Sequence, residues 1–182
     1  MKSKPDMGMK DWDAYYATEP DESARRLIYR KLVKFIDSEP GSILDIGCAM
    51  GDGLIEMHDY FPEADLYGVD YSAEGVAIAH RRLPLARFFE FDMIRSEIPY
   101  QADLVLCVQT LEHFRQDLLP WIISNLFVAA WEQVIVSVPY GHKIPDKDHK
   151  TVFFEESFGN VMKPDIVERQ GHHLAFSWIR RQ

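Results

Sequence analysis

Short apolar runs alternate with segments of helical spacing along most of this chain. The runs are four to seven residues long, are rich in buried-strand residue types, and occupy 43–46, 65–70, 86–92, 102–108 and 133–139. Between them, apolar residues recur three to four positions apart over 73–83 and 118–127, as on one face of a helix. Strands and helices that alternate in this way predict an α/β, doubly wound sheet, mostly parallel, with helices on both faces.

One further helix is predicted before the first strand. Residues 24–36 place their apolar side chains at a mostly helical spacing, and Pro40 and Gly41 follow as a stop. The helix also carries five basic residues, which form either a phosphate-binding face or only its solvated side. These residues are Arg25, Arg26, Arg30, Lys31 and Lys34.

The C-terminal third is expected to add a short helix and a hairpin. The helix is predicted over 155–162. Residues 164–169 and 173–179 can pair as two strands around Gln170 and Gly171. The hairpin would close the sheet with an antiparallel last strand.

The run at 43–46 leads into a glycine-rich turn, after which a helix can begin. Glycine lets the backbone turn sharply there and lets a ligand approach closely, because it has no Cβ atom. A strand, a glycine turn and a helix make the first half of a nucleotide-binding unit. The dinucleotide motif G-x-G-x-x-G, started at Gly47, would need glycine at 49 and 52, where the chain has Ala49 and Asp52. This difference argues against a nicotinamide-dependent oxidoreductase.

Aspartates lie at or next to the ends of the first three strands of the predicted sheet. Asp45 precedes the glycine turn, and Asp70 and Asp92 end the second and third runs. An acidic residue about 20 positions after such a turn binds ribose hydroxyls in nucleotide folds, and Asp70 lies 23 positions after Gly47 (70 − 47). The alternative for Asp70 is a helix-capping or solvated carboxylate. Asp92 suits the exocyclic amine of an adenine.

The motifs follow one another in the order found in a known enzyme family. Asp45, Gly47 and Gly51 match D-x-G-x-G-x-G, with Ala49 at the middle glycine, and Gln-Thr-Leu-Glu-His at 109–113 and Ser-Val-Pro at 137–139 follow later. Over about residues 40–140 the chain resembles class I S-adenosylmethionine-dependent methyltransferases. It is most similar to the branch that methylates small molecules, ubiquinone-pathway O-methyltransferases among them. Alanine at position 49 fits this turn only if its φ stays below zero.

The resemblance implies S-adenosylmethionine as the cofactor and S-adenosylhomocysteine as the product. The glycine turn would hold the methionine part of the cofactor, and the backbone after the fourth strand its amino-acid end. Asp70 would bind the ribose and Asp92 the adenine, with Tyr71 and Met93 along the ring. The predicted cofactor site comprises Asp45, Gly47, Cys48, Gly51, Asp70, Tyr71, Asp92, Met93, Val108 and Gln109.

The predicted reaction is methyl transfer to a small-molecule acceptor, and a hydroxyl group is preferred over an amine as the acceptor. The cofactor's sulfonium already makes the methyl carbon electrophilic, so the protein has to align the acceptor with the carbon–sulfur bond and exclude water. An N-terminal arm (1–22) and a loop (140–152) are expected to hold the acceptor. Aromatic residues in the arm either cover an edge of the core or close over the ligand. They are Trp12, Tyr15 and Tyr16.

Two histidines are the predicted catalytic residues, because histidine titrates near neutral pH and a hydroxyl acceptor loses a proton. His113 is expected at a helix start facing the cofactor, where it is either structural or close to the acceptor. His149 shares its loop with His142, Asp146 and Asp148, which together have the donor types of a metal site. Loops often collect such residues for solubility alone, so no metal is predicted.

Composition narrows the remaining classes of function. A chain of 182 residues is predicted to form one methyltransferase domain (1–182), and a net charge of −9 argues against nucleic acid and anionic membranes as partners. The first residues lack the apolar core of a signal peptide, so a cytoplasmic location is expected. Two alternatives stay open: a methyltransferase acting on protein or nucleic acid, and a domain that binds S-adenosylmethionine without catalysis.

Overall fold

Seven strands form one continuous sheet at the centre of the molecule. The computed structural model describes residues 11–18, 24–98, 100–141 and 148–180. All five apolar runs predicted as strands are confirmed, although the third strand is shorter and the fifth longer than its run. The strands are β1 (Ser42–Ile46), β2 (Asp65–Asp70), β3 (Arg87–Glu90), β4 (Ala102–Val108), β5 (Ala130–Pro139), β6 (Ile166–Gln170) and β7 (His173–Ile179).

The strand order across the sheet is β3-β2-β1-β4-β5-β7-β6. β1 to β5 are parallel, β7 is antiparallel to β5, and β6 pairs antiparallel with β7, so the predicted doubly wound sheet and C-terminal hairpin are confirmed. The order reverses between β1 and β4, because the chain leaves β1 toward β2 and later returns to the other side of β1. Ligands in such sheets bind at that reversal, outside the carboxyl ends of the strands.

Helices cover both faces of the sheet. They are α1 (Trp12–Tyr16), α2 (Ala24–Leu32), α3 (Asp52–Tyr60), α4 (Ala73–Arg82) and α5 (Leu119–Ala129). The apolar sides of α2, α3 and α4 pack with Ile43 and Leu104 on one face, whereas α5 packs with Leu44 and Val105 on the other. None of the helices within the described ranges has both the length and the apolar character needed to cross a bilayer.

The structure corrects two local predictions. The helix predicted over 24–36 is α-helical only to Leu32 and continues as a single 3₁₀ turn, Val33–Phe35. The segment 155–162 forms successive turns instead of a helix. There the buried Phe158 ring lies 5.6 Å from Phe153 and 5.5 Å from Trp178, so packing of one aromatic residue shapes the segment.

The basic side of α2 has a structural role. The guanidinium groups of Arg26 and Arg30 donate to Glu56 of α3 at 2.9 and 2.7 Å, and the Glu56 side chain is only 1% exposed. The hydrogen bond from Arg30 holds the pKa of Glu56 below its usual range. Lys34 pairs with Glu168 of β6. The two pairs with Glu56 attach α2 to α3 and partner the buried charge of Glu56.

Candidate active site

A cavity opens beyond the carboxyl ends of β1, β2 and β4, where the strand order reverses. Its empty volume, which includes space open to solvent, is about 560 Å³. The lining includes His113 and most of the residues predicted to hold the cofactor. The latter are Gly47, Asp70, Tyr71, Asp92, Met93 and Gln109.

The glycine turn between β1 and α3 depends on backbone conformations that favour glycine. Gly47 and Gly51 have φ angles of 80° and 81°, in the left-handed region. A Cβ atom at Gly47 would also lie 2.2 Å from Oγ1 of Thr110, so glycine lets the turn approach the residues that follow β4. The amides of Gly47 and Cys48 both donate to the carbonyl of Val69, which ties the turn to β2.

Ala49 has a φ of 51°, so the prediction that alanine fits this turn only with a φ below zero is wrong. An L-residue in this region costs roughly 1–2 kcal/mol. The Ala49 amide donates to Oδ2 of Asp70 at 2.8 Å, and a hydrogen bond to a carboxylate is a strong one. Asp70 therefore helps to hold the turn in the conformation that borders the cavity.

Asp70 borders the cavity and is not the cap of α4. The hydroxyl of Ser72 caps that helix by accepting from the Gly75 amide at 3.0 Å. Asp70 Oδ1 accepts from the Ser72 amide at 2.9 Å, and its other oxygen accepts from Ala49. A carboxylate offers about four lone-pair sites, so Asp70 can hold the turn and still accept a hydrogen bond from a ligand.

Asp92 and Met93 form the part of the cavity that follows β3. Asp92 Oδ1 accepts from the Ile94 amide at 3.1 Å, and Arg95 approaches Oδ2 at 3.2 Å. The Met93 carbonyl accepts a hydrogen bond from the Trp121 indole at 3.2 Å. The backbone here is thereby fixed by its own turn and by α5.

The other residues predicted to hold the cofactor are not in the lining. Side chains alternate along a strand, so Asp45 lies on the Ile43 side of the sheet and meets α2. There the Tyr29 hydroxyl lies 2.8 and 3.0 Å from the two carboxylate oxygens of Asp45. Cys48 and Val108 are core residues of the same side, and Gly51 is the N-cap of α3. These four residues support the site from behind; they are Asp45, Cys48, Gly51 and Val108.

The short helix α1 forms one wall of the cavity. Trp12 and Tyr16 line it, and the same helix packs on Ala49, Met50 and Ile78. The Ser72 hydroxyl donates to the Asp13 carboxylate at 2.7 Å, which attaches α1 to the start of α4. α1 therefore covers an edge of the core and also borders the cavity, whereas its closing over a ligand stays a prediction.

His113 and His149 lie side by side, although they are distant in sequence. His113 ends a 3₁₀ turn, Leu111–His113, and does not stand at a helix start as predicted. Its ring centroid is 4.9 Å from that of Trp12 and 5.2 Å from that of His149, which lies outside the cavity lining. His142 and Asp146, two members of the loop group considered for a metal, lie outside the described residues.

Sequence reasoning missed several residues of the lining. Phe91 and Ile94 flank the predicted pair Asp92 and Met93, so their position could have indicated them. Arg25 gave no such signal, because it is one basic residue among several on α2. The missed residues are Arg25, Phe91, Ile94, Thr110 and Phe114.

The sequence also matches a described protein family. Residues 43–129 match a family model described as a methyltransferase domain. Over these residues the chain is similar to methyltransferase domains. The matched residues run from β1 to the end of α5 and include both glycine positions of the turn.

Curated methyltransferases match about two thirds of this chain. Trans-aconitate 2-methyltransferase of Yersinia pestis is 28% identical over 120 residues, which are 65% of this chain and 46% of that protein. The enzyme of the same name from Escherichia coli O157:H7 is 30% identical over 125 residues, or 65% of this chain and 48% of that one. The chain thus spans about half the length of these relatives.

Solved methyltransferase structures share the fold. Magnesium protoporphyrin IX methyltransferase from Synechocystis PCC 6803, with S-adenosylhomocysteine bound, superimposes with a TM-score of 0.67 at 17% identity, over 87% of this chain and 83% of that one. The plantazolicin methyltransferase BpumL superimposes with a TM-score of 0.64 at 16% identity, over 94% of this chain and 89% of that one. At these identities the likeness establishes the fold.

The pKa of Asp45, which lies behind the cavity, is strongly displaced. Burial raises the pKa of Asp45 from 3.8 to about 7. The hydrogen bond from Tyr29 and the charge of Arg25 oppose the rise, and the charge of Asp70 adds to it. The fold therefore favours protonated Asp45, and its contribution to stability is present at low pH and is lost as the pH rises through about 7.

Replacing Asp45 with asparagine should stabilise the protein at alkaline pH. Asparagine keeps an oxygen for the Tyr29 hydroxyl but carries no charge at any pH. The difference in Tm, variant minus wild type, is therefore expected to increase from pH 5 to pH 8, because only the wild type loses stability over this interval. Thermal unfolding at several pH values measures it. A difference that stays constant over that interval would contradict the displaced pKa.

Proposed function

We propose that this chain transfers the methyl group of S-adenosylmethionine to a hydroxyl oxygen of a small molecule. The observation that supports the proposal most is the convergence of Gly47, Asp70, Asp92 and Gln109 on one cavity at the reversal of the strand order. Carboxylates at neighbouring strand ends suit a ligand with ribose hydroxyls and an adenine amine. A glycine turn beside them suits its flexible amino-acid part.

The cofactor placement follows from the donors and acceptors of the cavity. Asp70 would accept hydrogen bonds from the ribose, and Asp92 one from the adenine amine. Tyr71 and Met93 offer flat or flexible apolar surface for the adenine ring. The backbone of Gly47 and Gln109 would border the methionine part. Gln109, like Ala49, is a non-glycine residue with a positive φ, 52°, and its amide donates to the Ser137 carbonyl at 2.7 Å.

The acceptor would lie between α1 and the turn that carries His113. A hydroxyl attacks the methyl carbon in line with the carbon–sulfur bond and gives up its proton, so a histidine at this place is useful. A carboxylate acceptor is the second candidate, because the curated relatives are named for their action on trans-aconitate, a tricarboxylic acid. A carboxylate has no proton to lose and makes no use of His113 as a base.

Isothermal titration calorimetry tests the cofactor. We expect S-adenosylhomocysteine to bind at a single site and NAD to give no heat of binding, since Ala49 and Asp52 depart from the dinucleotide motif. Heat of binding with NAD and none with S-adenosylhomocysteine would disprove the proposed function.

Product formation tests the acceptor. Incubation with S-adenosylmethionine and one of 3,4-dihydroxybenzoate, trans-aconitate or a primary amine, followed by assay of S-adenosylhomocysteine, compares the acceptor classes. The proposal expects the dihydroxybenzoate to react fastest. Turnover with trans-aconitate alone would replace the hydroxyl with a carboxylate, and binding without turnover on any acceptor would favour a non-catalytic domain.

A further inference from the structure

A cluster of metal-binding side chains lies beside the cavity. Glu112, His113 and His149 each offer one donor atom, and the three atoms lie within 4.8 Å of one another. We propose that these side chains bind one divalent transition-metal ion and that the ion holds the methyl acceptor through an oxygen atom. The second part rests on the function proposed above, whereas the metal site stands on the residues alone. No metal was predicted from the sequence.

The donor set suits a divalent metal with borderline-soft character. Two imidazoles and a carboxylate are ligands of Zn²⁺ and of other divalent first-row metals. Metal–ligand bonds of about 2.0–2.2 Å require donor atoms about 3–3.5 Å apart, so modest side-chain rotations would close this set around an ion. Glu112 is only 2% exposed, so its carboxylate is held within the protein beside the two histidines.

Backbone hydrogen bonds hold the two segments of the cluster together. The amides of Lys150 and Thr151 donate to the Glu112 carbonyl at 2.7 and 3.1 Å, and the Thr151 hydroxyl donates to the Phe114 carbonyl at 2.7 Å. His149 directly precedes Lys150, so these bonds fix it beside the turn that carries Glu112 and His113. Donors thus positioned by the backbone bind a metal at a lower entropic cost than mobile ones.

The orientation of His113 also suits a metal ligand. Its Nδ1 lies 3.3 Å from the carbonyl oxygen of Asp148. A carbonyl only accepts hydrogen bonds, so this contact requires the proton on Nδ1 and leaves the lone pair of the neutral ring on Nε2. Metal-binding histidines commonly donate their second nitrogen to a carbonyl or carboxylate in this way. The contact joins His113 to the residue next to His149.

An ion held by His113 would lie at the edge of the cofactor cavity, because His113 is part of its lining. Three protein ligands leave coordination positions for a further ligand, as in catalytic metal sites. A hydroxyl bound to such an ion loses its proton more readily. Its oxygen then bonds to the methyl carbon, the carbon–sulfur bond breaks with its electron pair left on sulfur, and the proton goes to solvent.

Zn²⁺ titration of the metal-free protein tests the site. We expect the wild type to bind one Zn²⁺ ion per chain. In both Glu112→Gln and His149→Ala, the affinity for Zn²⁺ should be lower by about 100-fold or more. His172→Ala is the matched control, since His172 is exposed on the β6–β7 turn and is not a member of the cluster. Co²⁺ substitution adds a spectroscopic readout, because its visible absorption reports the number and type of ligands. Thermal unfolding checks that each variant folds.

Wild-type Zn²⁺ affinity in both Glu112→Gln and His149→Ala, or no binding at all to the wild type, would overturn the metal site. Titration with S-adenosylhomocysteine, with and without EDTA, separates this outcome from the proposed function. If the cofactor product binds and Zn²⁺ does not, the metal site fails and the methyltransferase proposal stands. If Zn²⁺ binds and turnover with the best acceptor is unchanged by EDTA, the metal site stands and its role toward the acceptor fails.

Discussion

Replacing His113 with alanine should lower the rate of methyl transfer by about 10²–10⁴-fold, the range found when a residue that handles the acceptor's proton is removed. His113 lines the cavity and contacts Trp12 and His149, so among the histidines in the described ranges it is the one that borders the proposed acceptor site. The loss is expected whether the ring takes the proton itself or holds an ion that acidifies the hydroxyl. Single-turnover measurement of S-adenosylhomocysteine formation, with the fastest acceptor, gives the rate.

Affinity for S-adenosylhomocysteine should change little in the same variant, because Asp70 and Asp92 are unaltered. His80→Ala is the matched control: His80 is an exposed histidine on α4, bonded to the Phe88 carbonyl and outside the cavity lining. Addition of free imidazole should restore part of the activity of His113→Ala only. Wild-type turnover in His113→Ala would mean that alignment of the acceptor alone drives transfer and that the histidine is structural.

The sheet was predictable because its signals are local. Buried strands in a parallel sheet are short continuous apolar runs, and β2 and β4 have the same bounds as the runs at 65–70 and 102–108. The two misassigned segments depend on distant contacts instead. The turns at 155–162 are set by Phe158 against Phe153 and Trp178. The helix that begins at Ala24 changes from α-helical to 3₁₀ hydrogen bonding at Val33. No local residue type predicts this change.

The order of the site's carboxylates was predictable, but the direction of their side chains was not. Asp45, Asp70 and Asp92 all lie near strand ends, yet only the last two reach the cavity. Asp45 differs because it shares the Ile43 side of β1 and meets Tyr29 from α2. That contact joins positions 16 apart in sequence, in different elements. Sequence spacing carries no information about it.

The cluster beside the cavity illustrates the same limit. Glu112 and His113 belong to one sequence motif. His149 lies beside them only because the chain returns to this motif after α5 and β5. The hydrogen bonds from the Lys150 and Thr151 amides to the Glu112 carbonyl bring the two segments together. They are made by backbone atoms, so the residue types give no sign of them. The loop histidines could therefore be noted from sequence but not paired with the turn after β4.

Replacing Asp70 with alanine should weaken binding of S-adenosylhomocysteine by roughly 10- to 150-fold, since hydrogen bonds to a charged group contribute about 1.5–3 kcal/mol. The structure adds a second reason for the loss: the same carboxylate accepts from the Ala49 amide and holds that residue at a φ of 51°. Asp70→Asn should lose less affinity, because its amide oxygen can still accept from Ala49. Calorimetric titration of the wild type and both variants gives the affinities.

Glu90→Ala is the matched control for Asp70→Ala. Glu90 pairs with Asp70 in the β2–β3 register and is an exposed carboxylate outside the cavity lining, so its loss should leave the affinity unchanged. Equal affinity in wild type and Asp70→Ala would place the ribose elsewhere, and equal loss in Asp70→Ala and Glu90→Ala would reduce the effect to a general change of charge at this edge of the sheet.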